Sequence, residues 1–343
     1  MPAFNQLFKP KQTIKRFIAI LPERSRDVIV SRYGLDSGKR MTLEAIGSRY
    51  GITRERVRQI ESHALGNIRK SDIFEKEQEA FSELMRHIDN YGGVVEESAF
   101  LSHVSPDESV RNHTLLLLIL GDNFKKKKED DNFWHRWHID DKLSDAVHGA
   151  LSDIADSLSP EDLLSEDDIT NTLARRLKNI NQKYHNREIF KRWLALSKKL
   201  GSNPLGEWGL ASSNNVNIKG MRDYAFLVVR QQGSPMHFKE VAGKIGELFS
   251  KPAHVATCHN ELIKDKRFIL VGRGLYALAE WGYMTGVVKD VIRKIMEKNG
   301  PLTKEEVVSK VMKERYVKEN TILVNLQNNS YFKKLKDGRY SLA

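Results

Sequence analysis

The stretch that most narrows what this chain can fold into runs from Thr42 to Lys70, TLEAIGSRYGITRERVRQIESHALGNIRK. Two apolar stripes of helical spacing flank a single glycine. Leu43, Ile46 and Tyr50 form the stripe of a first short helix, with Thr42 placed to cap it; Gly51 lets the backbone turn sharply, and Thr53 can cap a second helix. On that second helix Val57, Ile60, Ala64, Leu65 and Ile68 fall on one side. The opposite side carries Arg54, Glu55, Arg58, Gln59 and Ser62, with Arg54 and Arg58 one turn apart and Glu55 and Gln59 likewise, so these four point the same way. This suits the reading helix of a helix-turn-helix: Arg can grip guanine bidentately, Gln can do the same to adenine, and Glu can accept from cytosine. On pattern alone, a solvated helix face with ion pairs between neighbours accounts for the same residues.

The surrounding residues add to this pattern. From Leu21 the chain reads LPERSRDVIVSRYGLD, and the TRERVRQIE helix follows after MTLEAIGSRYGI. Over about Leu21 to Lys70 this closely resembles the fourth conserved region of the sigma-70 family of bacterial transcription initiation factors. The resemblance implies contact with the promoter element about 35 base pairs upstream of the start, hence double-stranded DNA as a partner, and docking on a flap of the RNA polymerase core. It places Arg54, Glu55, Arg58 and Gln59 at base-contacting positions, and Thr42, Leu43, Thr53, Arg56, Ser62 and His63 at backbone-contacting ones. His63 departs from the family, which commonly has a basic side chain there. The family's larger parts, which bind the core enzyme and melt DNA, lie N-terminal to this region; only about twenty residues precede it here, so the resemblance does not make the chain a complete initiation factor.

Length and charge fit a nucleic-acid partner. At 343 residues several small domains are expected. The formal net charge is +11, and residues 1–71 hold 15 Lys and Arg against 6 Asp and Glu, a field that favours nucleic acid. A single cysteine, Cys258, excludes an internal disulfide framework and fits a reducing compartment. The first twenty residues have no uninterrupted apolar run, and the greasiest stretch, Leu115 to Leu120, is too short to span a bilayer. The expectation is a cytoplasmic, nucleoid-associated protein without membrane contact.

Beyond Lys70 the chain reads as a degenerate repeat: helix, Gly- or Pro-marked turn, helix, helix, short aromatic hairpin. The expected segments are a basic lead-in at 1–20, partly helical from Gln12 to Ile20; the helix-turn-helix at 21–71; and units at 75–139, 143–211, 219–283 and 286–343. The closing aromatics Trp137, Trp208, Trp281 and Tyr340 lie 71, 73 and 59 residues apart. The last unit is clearest, ending in YFKKLKDGRYSLA around an Asp337-Gly338 hairpin signal. Three helices and a two-stranded wing make a winged helix, so the fold class is mainly α: a helix-turn-helix followed by a string of winged-helix units. Residues 219–283, with SPMHFKEVAGKIGELF and FILVGRGLYALAEWG, resemble the HARE-type helix-turn-helix domain found in the delta subunit of bacterial RNA polymerase and fused to varied DNA-acting proteins. That resemblance implies nucleic-acid engagement or an adaptor role.

Lys125 to Lys128 fall in the wing of the first unit, where they could lie across phosphates; Glu129, Asp130 and Asp131 follow at once, so a solvated hairpin tip is the other reading. His135 and His138 lack Cys or carboxylate partners at zinc spacing, and Cys258-His259 reads as a buried thiol beside a surface imidazole. Gly272-Arg273-Gly274 joins two strands and lacks the helix a phosphate loop needs. The acidic stretch from Ser159 to Asp168 argues against DNA contact by the second unit. Neither cofactor, metal nor catalysis is expected. The reading is a DNA-binding transcription protein that works with RNA polymerase; the alternatives are a free-standing sequence-specific regulator and a protein–protein adaptor.

Overall fold

The structure, a computed structural model, describes residues 8–343. The chain divides into two compact units, residues 1–202 with 208–211, and residues 203–207 with 212–343.

The first compact unit opens with α1 (Pro10–Ala19), whose buried residues Pro10, Thr13, Ile14 and Phe17 follow i, i+3, i+4, i+7 spacing. What the composition suggested as a basic lead-in is therefore a core helix, with Ile14 and Phe17 fully buried. Next come α2 (Glu23–Tyr33), α3 (Leu43–Tyr50) and α4 (Arg54–Arg69). Val28, Ile46 and Val57 form a small core among the last three helices. The apolar side of α4 then passes into a second, larger core: Ala64 and Ile68 pack with Phe17, Ile29 and Leu35 and with Leu115 to Leu118.

Those leucines belong to the first winged unit. It comprises α5 (Asp72–Lys76), α6 (Gln78–Tyr91), β1 (Val94–Glu96), α7 (Glu97–Val104), α8 (Glu108–Leu120), β2 (Lys125–Lys127) and β3 (Arg136–His138). The sheet order is β1-β3-β2, antiparallel throughout. Helix α8 is buried on nearly every side, from Asn112 to Leu118 and again at Leu120, because α1 and α2 cover the side that a free winged helix would expose. The segment boundary near residue 71 thus divides the sequence but not the core.

The second winged unit follows as α9 (Asp141–Ser157), α10 (Glu166–Arg176), a turn of 3-10 helix at Gln182–Tyr184, α11 (Arg187–Leu194), β4 (Leu200–Ser202) and β5 (Trp208–Leu210). Strand β1 serves both winged units by alternation: Val95 faces the core shared with α8, Val94 the core built on Leu143, Tyr184 and Trp193. Between them Arg136, almost wholly buried, donates to the Lys128 and Trp134 carbonyls, to the Asp130 carboxylate and, from Nε at 2.6 Å, to His148 Nε2. Burial first, and then the Arg136 charge, push the His148 pKa from 6.5 down to about 4. An unfolded chain binds a proton at this histidine below pH 6.5 while the folded one refuses it, so stability is lost as pH falls from about 6.5 toward 4, at up to about 1.4 kcal/mol per pH unit. Urea midpoints measured between pH 7 and 4.5 should show this slope. His148→Gln should flatten it; an unchanged slope would assign the effect to another group.

The second compact unit holds the remaining two winged units. One is built from α12 (Met221–Gln232), β6 (Met236–His237), α13 (Phe238–Phe249), α14 (Val255–Lys264), β7 (Phe268–Gly272) and β8 (Leu275–Leu278). The other comprises α15 (Val288–Asn299), α16 (Lys304–Glu314), α17 (Glu319–Leu326), β9 (Phe332–Lys334) and β10 (Tyr340–Leu342). Tyr316 pairs with β7, its amide donating to the Val271 carbonyl at 2.7 Å, so the two units share a sheet edge. Asp223 of α12, buried, accepts from Arg267 at 2.7 Å and pins the start of that wing.

One detail recurs in all four units. The residue after the first turn pairs with the last wing strand: Val95 with Trp137, Leu164 with Trp208, Met236 with Tyr276, Leu302 with Tyr340. An apolar side chain meets an aromatic one each time. The aromatic in the third unit is Tyr276, not Trp281, which lies beyond the strand in a turn of 3-10 helix at Ala279–Trp281. With Tyr276 in place the intervals between the four aromatics even out.

Candidate nucleic-acid interface

The turn between α3 and α4 is set by two glycines. Gly51 holds φ +62°, a left-handed conformation that L side chains rarely adopt. Gly47 leaves no room for a side chain, since a Cβ there would sit 2.6 Å from the Ile52 carbonyl oxygen. The two threonines act as caps: Thr42 Oγ1 accepts from the Ala45 amide at 3.1 Å, and Thr53 Oγ1 from the Arg56 amide at 3.2 Å. Each helix therefore starts on a side-chain cap that satisfies one of its otherwise unpaired amides.

With Val57, Ala64 and Ile68 buried, the outer face of α4 is fixed. Arg54, Glu55, Arg56, Arg58, Gln59, Ser62 and His63 are all exposed, and Leu43 is half-buried at the edge of the small core. Arg54 joins Thr42, Leu43, Glu44 and Arg32 around a shallow cavity of about 280 Å³. The sequence reading missed Arg32; its place in the last turn of α2 and its bond to the Met41 carbonyl at 3.0 Å turn it toward the start of α3. Arg58 grips Glu55 bidentately, Nε to Oε2 at 2.9 Å and Nη2 to Oε1 at 2.7 Å, and Arg56 donates to Gln59 Oε1 at 3.1 Å. The Arg58 fork holds the Glu55 carboxyl below its ordinary range, and Glu55 in turn raises Arg58. The side chains stand together on one exposed surface, where they pair with one another.

Residues 17–70 match the family described as Sigma-70, region 4. The chain is 50% identical over 56 residues to the RNA polymerase sigma factor RpoS of Coxiella burnetii, covering 16% of each chain. It is 46% identical over 59 residues to the sigma factor SigA1 of Synechococcus elongatus, covering 17% of this chain and 15% of that one. The principal sigma factor HrdD of Streptomyces viridifaciens is 47% identical over 53 residues, 16% of each chain. The chain thus spans about a sixth of the length of these relatives. Helices α2 to α4, with the end of α1, are a sigma-type helix-turn-helix.

The wing of the first unit looks different from its sequence. Lys125, Lys126 and Lys127 form strand β2 rather than a hairpin tip, and their ammonium groups meet Asp141, Glu97 and Asp145 respectively. Lys128 has no ion pair among the described residues. The carboxylates that answer these lysines come from α7 and α9 and not from the neighbouring Glu129 to Asp131, which is why local sequence did not reveal them. His138 is buried and bonds Asp141 at 2.9 Å, whereas His135 is half-buried and lies 3.6 Å from a Glu129 oxygen. No group of three His, Cys, Asp or Glu able to hold a metal occurs among the described residues. Cys258 is fully buried, which pushes its pKa up to about 11, and His259 stacks on Phe238 with centroids 4.1 Å apart. No helix among the described residues is long and apolar enough to cross a membrane.

Proposed function

We propose that this protein binds double-stranded DNA through α4 and acts in bacterial transcription in association with RNA polymerase. The observation that carries the reading is the exposed row Arg54, Glu55, Arg58 and Gln59 on a helix whose other side is locked into two cores. The match to sigma-70 region 4 over the same residues, and the relatives' names as RNA polymerase sigma factors, support it. In this reading α4 enters the major groove of an upstream promoter element. Thr42, Leu43, Thr53, Arg56, Ser62 and His63 flank the phosphates, joined by Arg32. For Arg58 to take a guanine O6 and N7, its fork leaves Glu55; the pair is wholly exposed, so water and salt already screen it and the exchange costs little. Glu55 is then free to accept from a cytosine amino group.

Selection of duplexes from a random pool, followed by anisotropy titrations at fixed salt, tests this. Arg58→Ala should lower affinity for the selected site on the order of ten- to hundred-fold and relax preference at one base position. Equal weakening on selected and scrambled duplexes would reduce Arg58 to a phosphate contact. Capture of core RNA polymerase from nuclease-treated lysate tests the second half of the reading. Site-specific DNA binding without polymerase would make the protein a free-standing regulator.

A further inference from the structure

The net charge of +11 conceals three blocks. Residues 1–71 hold 15 Lys and Arg against 6 Asp and Glu, residues 72–211 hold 18 against 26, and residues 212–343 hold 23 against 13. The chain is basic at both ends and acidic in the middle, so a second positive field lies far in sequence from α4.

Ion pairing separates the four winged units more sharply than charge does. In the first, the β2 lysines are answered by carboxylates of α7 and α9. In the second, Arg187 and Lys191 of α11 are answered by Glu166 and Asp167 in the first turn of α10. The third presents a nearly neutral third helix, where Val255 and Ile263 are exposed beside Thr257 and Asn260. Between its wing strands Arg273 is one exposed cation without an ion pair among the described residues; more such cations stand on the wing of the fourth unit. Its hairpin carries Lys333, Lys334 and Lys336, all exposed, and none has an ion pair among the described residues; the hairpin's Asp337 is taken by Arg339 at 2.7 Å. Tyrosines lie between these cations. Lys289 sits 4.6 Å over the Tyr331 ring and Lys334 6.0 Å over Tyr340, and Tyr331 is 42% exposed. The hairpin itself is well fixed: Phe332 is buried, Tyr340 pairs with Leu302, and the Leu335 amide donates to the Arg339 carbonyl at 2.7 Å.

Unpaired lysines on a rigid hairpin repel one another and gain most from a partner that presents negative charges at regular spacing. We infer that the wing of the fourth unit, Lys333, Lys334 and Lys336, is a second and sequence-blind contact for the phosphate backbone of double-stranded DNA. It goes beyond the α4 reading and does not depend on it, since it needs no base recognition. The first wing, with more lysines in its sequence, is not such a contact, because its own neighbours neutralise it.

The test uses the full chain and a random-sequence duplex, with affinity followed against salt concentration. Substituting all three lysines (Lys333→Gln, Lys334→Gln, Lys336→Gln) should reduce the slope of log affinity against log salt by about 2–3, at roughly 0.9 per phosphate neutralised. The control Lys125→Gln with Lys127→Gln should leave the slope unchanged. Preference for a selected site over a scrambled one should survive the triple substitution, because α4 is untouched. An unchanged slope in the triple variant overturns the inference and leaves the patch to an acidic protein partner. A normal loss of slope in a protein without any site preference would instead uphold this inference while removing the α4 reading.

Discussion

Replacing Phe17 by Ala will destabilise the sigma-type helices and the first winged unit together, by about 3–5 kcal/mol. The ring is fully buried and lies among Phe74, Phe81 and the α8 leucines, with centroid distances of 5.8 Å to Phe74 and 6.1 Å to Phe81. Its loss opens a cavity between elements on either side of the expected segment boundary. Burial in one continuous core couples their unfolding, so both should lose amide protection in step. Hydrogen exchange on α4 and on β3 reads this directly. If α4 opens in the variant while β3 keeps its protection, the two are separate domains that merely touch.

The second large effect is expected at Asn112, on α8. Its side chain is buried, donates to the Gly38 carbonyl at 2.7 Å and the Gly34 carbonyl at 3.1 Å, and accepts from Arg40 Nε at 2.7 Å. Asn112→Leu keeps the volume but strands the Gly38 carbonyl and one edge of the Arg40 guanidinium, at a cost of about 2–4 kcal/mol. The loss falls on the loop that fixes where α3 begins, so DNA affinity should drop although no residue of α4 has changed. Urea unfolding and duplex titration of the same variant check both statements. Wild-type affinity with lowered stability would mean that α3 and α4 hold their angle without this anchor.

Much of the helix-turn-helix was legible because its signals are local. Thr42 and Thr53 cap the helices they precede, Gly51 supplies the turn, and the apolar spacing of α4 names its buried side. The winged repeat was legible for a related reason: Asp337-Gly338 makes its hairpin, and aromatic residues recur at the ends of the units. What escaped was non-local. Nothing near Lys125 says that Asp141 and Asp145 will face it, because their carboxylates arrive on a different helix. The pairing of Val95 with Trp137, or of Leu302 with Tyr340, involves one to three residues, too few for an alternation pattern to register. The α1 spacing is present in the sequence, but Lys9, Lys11, Lys15 and Arg16 interrupt it, so no apolar run marks Ile14 and Phe17 as core.

Helix α8 carries a consequence for assembly. Third helices of such units ordinarily stand free, and the apolar flank of a small three-helix reader ordinarily needs a companion. Here each satisfies the other within one polypeptide: Leu115 to Leu118 occupy the side of α1, α2 and α4 that would otherwise be sticky. Any partner that recruits this protein therefore finds that flank already taken. It must grip another surface, and the reader it acquires arrives rigidly mounted, with its orientation decided before any partner is met.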